Sequence, residues 1–141
     1  MYTAPELKAL KASFIVHATE DESKVANAVG KALGLREFKV ASIRGHYGNP
    51  IRYYEGTVKG EEASKAFGSI LSALSEWELE ELVENYERCS KGGHLYLRLD
   101  KQGLVSGRIG FGGEDVVRIE AIFRSRGALR RWIEDVRRLQ G

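Results

Sequence analysis

One cysteine and one methionine occur in 141 residues, with Asn only at 27, 49 and 85 and Gln only at 102 and 140. The lone thiol, Cys89, closes no internal disulfide and offers no zinc-ribbon or iron–sulfur spacing, so packing has to hold the chain together. Cys89 also follows an acidic segment, whereas a reactive thiolate needs electropositive surroundings. Scarce Asn, Gln, Met and Cys beside abundant Arg and Glu is the bias of thermophile proteins. Long apolar runs are missing too. Phe14-Ile15-Val16 and Ile70-Leu71 fall far short of the ~20 residues that cross a bilayer, and no signal-type apolar block follows Met1. No membrane role is expected, and the cytoplasm is the expected compartment.

Motifs for covalent, nucleotide and metal chemistry are equally scarce. No serine stands in a GxSxG setting, and neither GxxxxGK[ST] nor GxGxxG occurs. Gly110-Phe111-Gly112-Gly113 lacks the strand–loop–helix frame of a phosphate loop. His17, His46 and His94 form no HxH or HExxH pair, so a metal-dependent phosphoesterase built on His17, His46 and Asp100 has no ligand spacing behind it. The expectation is a protein with no catalytic residue, cofactor or metal.

What is present is enough apolar sequence for one domain, 43% hydrophobic with 30% charged, and no linker or repeat divides residues 1–141. Leu10, Ala12, Phe14, Val16 and Ala18 alternate with Lys11, Ser13 and His17, the pattern of a half-buried strand. Thr19 and Glu22 have capping-box spacing for a helix that buries Val25, Val29 and Leu33 and stops at Gly34. Glu37–Arg44 and Ile51–Lys59 read as strands joined by the turn-rich Gly45-His46-Tyr47-Gly48-Asn49-Pro50, a hairpin. Ala63, Phe67, Ile70, Leu71 and Leu74 keep helical spacing; Ser75 and Glu78 then cap a second helix burying Leu79, Leu82, Val83 and Tyr86.

After Lys91-Gly92-Gly93, residues His94–Asp100 alternate cleanly as a strand, with Leu95, Leu97 and Leu99 on one side. A glycine-rich stretch follows, with a short strand expected near Arg108–Phe111, then a strand over Val116–Arg124. A final helix spans Ala128–Leu139, with Leu129, Trp132, Ile133, Val136 and Leu139 inside and Arg130, Arg131, Arg137 and Arg138 outside. The order β-α-β-β-α-α-β-(β)-β-α predicts one mostly antiparallel sheet with helices on one face, an α+β open-faced sandwich.

Net charge is +2, but it is segregated: +3 over residues 1–59, −6 over 60–88 and +5 over 89–141. Strand alternation places Lys11, Ser13 and His17, Tyr96 and Arg98, and Arg118 and Arg124 away from the leucine side. If those strands are neighbours, one polar surface results. Guanidinium groups pair with phosphate, while Tyr and His rings stack on unpaired bases, a combination suited to RNA. An exposed antiparallel face needs polar residues in any case, so alternation alone does not separate binding from solvation.

Three segments carry a resemblance: His17-Ala18-Thr19-Glu20-Asp21, Gly45-His46-Tyr47-Gly48-Asn49-Pro50-Ile51 and Leu95-Tyr96-Leu97-Arg98-Leu99-Asp100-Lys101-Gln102. In this order they resemble archaeal RNA-binding proteins described as predicted exosome-associated subunits. The resemblance implies a cytoplasmic archaeal protein with a fold related to large-subunit ribosomal protein L-five. It also implies polar motif positions at His17, Thr19, Glu20, Asp21, His46, Asn49, Arg98, Asp100, Lys101 and Gln102. The chain departs from the pattern at Gly103-Leu104-Val105, where the family has an alanine-rich continuation.

The resulting expectation is a non-enzymatic RNA-binding protein. Arg98, Lys101, Arg118 and Arg124 would contact phosphates, and His46, Tyr47 and Tyr96 would stack on bases or read their edges. His17, Asn49 and Gln102 complete the expected contact set. Expected partners are RNA and exosome or ribosomal proteins. The alternative is a protein-interaction subunit of an RNA-processing or ribosomal assembly, docking a basic partner on the acidic helix Glu76–Glu87.

Overall fold

The structure, a computed structural model, describes residues 4–44 and 48–140. The elements run β1 (Leu7–His17), α1 (Glu22–Leu33), β2 (Lys39–Arg44), β3 (Pro50–Lys59), α2 (Gly60–Ala73), α3 (Glu76–Asn85), β4 (Ser90–Lys91), β5 (His94–Asp100), α4 (Lys101–Val105), β6 (Val116–Phe123) and α5 (Arg126–Gln140). The strands form one six-stranded sheet in the order β2-β3-β1-β6-β5-β4, with every neighbouring pair antiparallel. The earliest strand is therefore central, paired with β3 on one side and β6 on the other.

Register explains the two faces. Leu10 lies opposite Val58 and Ala121, Ala12 opposite Gly56 and Ile119, and Phe14 opposite Tyr54. Leu95, Leu97 and Leu99 extend those rows through Ala121, Ile119 and Val117. All these side chains are buried with Val25, Val29, Leu33, Phe67, Ile70 and Ile133 in one core beneath the helices. Phe14 stacks on Tyr54 at 5.0 Å between ring centroids and meets Phe38 edge-on at 5.5 Å. Gly56 makes room for this, since a Cβ there would stand 3.0 Å from the Phe38 ring. Among the described residues the opposite face contributes none of the strand side chains of this core, as expected for an open-faced α+β sandwich.

Local chemistry sets the helix ends. Asp21, not Thr19, caps α1, its carboxylate accepting from the Lys24 amide; the residue next to the helix wins the cap over the one two positions earlier. Gly34 closes α1 at φ +67°, a conformation that favours glycine. The Ser75–Glu78 capping box forms in both directions.

Three further expectations need correction. The Arg108–Phe111 segment forms no strand among the described residues and makes a single bridge, Phe111 to Leu99. Lys101–Val105 forms a short helix where irregular chain was expected. Leu139 is 57% exposed at the end of α5, beyond the reach of the sheet.

Candidate nucleic-acid interface

The open face is built from the residues that alternate with the core. One row crosses five strands in register: Lys39, Glu55, Ser13, Arg118 and Arg98. The next holds Thr57, Lys11, Glu120 and Tyr96. Tyr96 is 43% exposed, and Lys11, Arg98 and Arg118 are exposed. Glu120 is engaged by His94, whose Nδ1 lies 2.7 Å from its Oε2.

Arg98 and Arg118 stand directly opposite each other. The Tyr96 amide donates to the Cys89 carbonyl and the Asp100 amide to the Gly110 carbonyl, so the even-numbered main-chain groups of β5 face away from β6. The 98/118 pair is thus the kind without mutual backbone hydrogen bonds, in which Cα atoms approach to about 4.5 Å and side chains are closest. Among the described residues neither arginine has an ion-pair partner. Like charges directly opposite on a sheet cost stability, and a bound anion would offset that cost.

The end of the face near His17 is organised differently. Lys101 is fully buried, and its Nζ donates to the Ile15 carbonyl at 2.6 Å and Glu20 Oε1 at 2.8 Å, and lies 2.9 Å from Asp115 Oδ1. The Gln102 amide bridges the same two carboxylates, donating to Glu20 at 3.1 Å and Asp115 at 3.2 Å. Glu20 also accepts from the His17 amide. Burial would raise the Glu20 carboxyl, but the His17 amide, the Lys101 ammonium and Gln102 outweigh it and hold the group below its ordinary value. At Asp115 burial is likewise overcome, here by Lys101, Gln102 and the nearby His17. The cluster ties the ends of β1 and β5 to the starts of α1, α4 and β6.

This corrects the expectation for Lys101. An ammonium with no exposed surface and three acceptors has no donor to offer a phosphate; it is a structural clasp. A signal for it existed: position 101 continues the odd-numbered parity of Leu95, Leu97 and Leu99 toward the core. Its partners Glu20 and Asp115, 81 and 14 residues away in the chain, gave no such signal.

The other expected contacts are dispersed. Gln102 is exposed but committed to two carboxylates, and His17 is exposed at the end of β1, about 13 Å along the strand from the arginine row. Asn49 is exposed at the hairpin turn on that same end. Arg124 lies at the opposite end, its Nη2 2.6 Å from Glu6 Oε1, with both side chains mostly in solvent. His46 and Tyr47 lie outside the described residues. The structure therefore brings Tyr96, Arg98, Arg118 and Lys11 together, and leaves His17, Asn49 and Arg124 at the rims.

These features define an open-faced α+β protein whose uncovered sheet surface sets Arg98, Arg118, Tyr96 and Lys11 side by side. The chain belongs to the family described as RNA binding, whose family model matches residues 9–123. It is 29% identical over 139 residues to the RNA-binding protein PAB1135 of Pyrococcus abyssi, spanning 84% of this chain and 88% of that one. It is 32% identical over 126 residues to an uncharacterised protein of Methanocaldococcus jannaschii, MJ0213, spanning 79% and 81%. Among solved structures, protein AF2318 of Archaeoglobus fulgidus superposes with a TM-score of 0.72 at 28% identity, covering 94% of this chain and 99% of that one. Mth689 of Methanothermobacter thermautotrophicus shares the fold with a TM-score of 0.78 at 24% identity, covering 96% and 99%. No helix among the described residues is long and apolar enough to cross a membrane.

Proposed function

We propose that the protein binds RNA, without catalysis, through the open face of its sheet. The observation that carries this reading is the facing pair Arg98 and Arg118, unpaired among the described residues and flanked by the exposed Tyr96 ring. Two guanidinium groups at this spacing clamp a phosphate, and Tyr96 stacks on a neighbouring base. Lys11 adds charge on the same surface, while His17, Asn49 and Gln102 at one rim and Arg124 at the other extend the contact. Arg124 exchanges its solvent-exposed Glu6 partner, a weak pair, for phosphate. His46 and Tyr47 enter this reading from their motif alone. Sequence specificity is slight, because the main contacts go to the backbone of the nucleic acid.

The name of the Pyrococcus relative supports RNA binding, and the motif resemblance supports an RNA-processing setting. On that basis we assign the protein to the exosome or to ribosomal RNA in an archaeal cytoplasm.

The test is a titration of labelled RNA at increasing salt. Affinity falls with a log–log slope of roughly 0.7 to 0.9 per phosphate contact, and replacing both Arg98 and Arg118 by Ala, which gives up the one phosphate they clamp, lowers that slope by about 0.7 to 0.9. No affinity for RNA at about 50 mM salt refutes the reading.

A second reading rests on α3, where Trp77 is 72% exposed beside Glu76, Glu80, Glu81 and Glu84. An acidic helix with an exposed indole suits a basic protein partner of an RNA-processing or ribosomal assembly. Reversing Glu80 and Glu84 removes that partner and spares RNA.

A further inference from the structure

A groove of about 620 Å³ opens along the outer edge of β5, within the size range of sites that hold small organic groups. It exists because β4 is only two residues long: Ser90 and Lys91 pair with Leu95 and His94, and the ladder goes no further. Past that point the edge of β5 keeps few partners. The Cys89 carbonyl accepts from the Tyr96 amide at 2.7 Å, and the Gly112 amide donates to the Arg98 carbonyl at 3.1 Å. Between these contacts lie the Tyr96 carbonyl and the Arg98 amide. Both face outward by strand alternation, and neither is hydrogen-bonded among the described residues. An unpaired acceptor and donor on an open strand edge are a site for an incoming polar edge.

The lining adds the rest of a nucleotide's chemistry. Asn85 at the end of α3 gives its amide hydrogen to the Glu81 carbonyl at 3.0 Å, which leaves its side-chain oxygen free to accept. Phe111 supplies an aromatic surface, and Arg88 and Arg98 supply positive charge against the single acid Glu81. Tyr96 and Arg98 line the groove and also stand on the open face, so the two surfaces are continuous.

We propose that this groove takes one unpaired nucleotide of the bound RNA. The base lies against Phe111 with its polar edge on Asn85, the Tyr96 carbonyl and the Arg98 amide, and the adjoining phosphate meets Arg88 and Arg98. A nucleotide in a duplex has its edge already paired and its faces stacked, so the groove selects single-stranded segments, loops or bulges. This rests on the reading of the open face as an RNA-binding surface and adds the class of RNA.

Cys89 lines the groove and is the only cysteine, so its alkylation reports occupancy. The experiment measures the rate of N-ethylmaleimide labelling alone, with a short single-stranded RNA, and with a blunt duplex of the same length. Both RNAs are held at ten times their Kd. With about nine-tenths of the protein bound, the single strand slows labelling about tenfold while the duplex leaves it unchanged. Asn85→Phe, which narrows the groove while Arg98 and Arg118 stay unsubstituted, lowers single-strand affinity roughly tenfold or more and spares the duplex. If single-stranded RNA binds but Cys89 labels at the free rate, or if the duplex protects equally, the groove proposal falls and the open-face reading stands. If no RNA binds, both fall together.

Discussion

Replacing Lys101 by Met keeps the buried aliphatic stem and deletes the ammonium. Three acceptors lose their partner at once: the Ile15 carbonyl, Glu20 and Asp115. Glu20, with a side chain only 15% exposed, and Asp115, at 43%, are left as like charges bridged by the Gln102 amide. Breaking a buried ion pair from one side costs about 3–5 kcal/mol, and the partial exposure of Asp115 puts this case near about 3 kcal/mol. For a chain of this size that lowers Tm by about 10 °C.

The effect depends on pH. Both carboxyls have folded-state values below the ordinary 4.5 and 3.8, so the stability they contribute is present above those values and is lost as pH falls through the depressed ones. The gap between wild type and Lys101→Met therefore narrows steadily on acidification below about pH 4.5. Urea unfolding at neutral and acid pH measures the gap, and RNA titration of the folded variant completes the test. Affinity within twofold of wild type is expected, because the ammonium has no exposed surface. A variant with unchanged stability and lost RNA binding would make Lys101 a contact residue and refute the clasp.

Two more outcomes follow from the same reasoning. Arg98→Gln relieves the like-charge pair, so the RNA-free protein gains up to about 0.5 kcal/mol in urea unfolding while RNA affinity and its salt slope both fall. A loss of stability instead would show that the arginines are held by the fold, not aimed at an anion. Glu78→Gln weakens the cap at Ser75 and the 2.8 Å anchor to the Phe111 amide, costing about 1–2 kcal/mol at neutral pH. Although burial raises the Glu78 carboxyl, the Phe111 and Ser75 donors hold it below 4.5, so this difference also shrinks in acid; a pH-independent difference would sink the account.

Much of this protein could be read without coordinates because its signals are local. Alternation in Leu10–Val16, His94–Asp100 and Val117–Phe123 follows from the two-residue period of a strand, and it separated the core side from the open side correctly. The Ser75–Glu78 box and the Gly34 stop are decided within one turn of helix. The division of charge along the chain, the lack of a nucleophile motif and the anion-seeking residue types were equally matters of composition and spacing.

Which residues meet was settled elsewhere. Nothing local put β1 between β3 and β6, and only that order sets Arg118 of the final strand opposite Arg98 and in line with Ser13. Lys101 reads as one more surface cation until Glu20 and Asp115 close around it, because burying a charge depends on partners that sequence separation hides. The short β4 looks like a turn residue pair, yet its early end is what opens the groove beside Tyr96 and Arg98. Strand and helix periods are properties of neighbouring residues and survive in the bare sequence. Strand order, burial of ions and the shape of an edge arise from contacts between distant segments, and only the folded chain determines them.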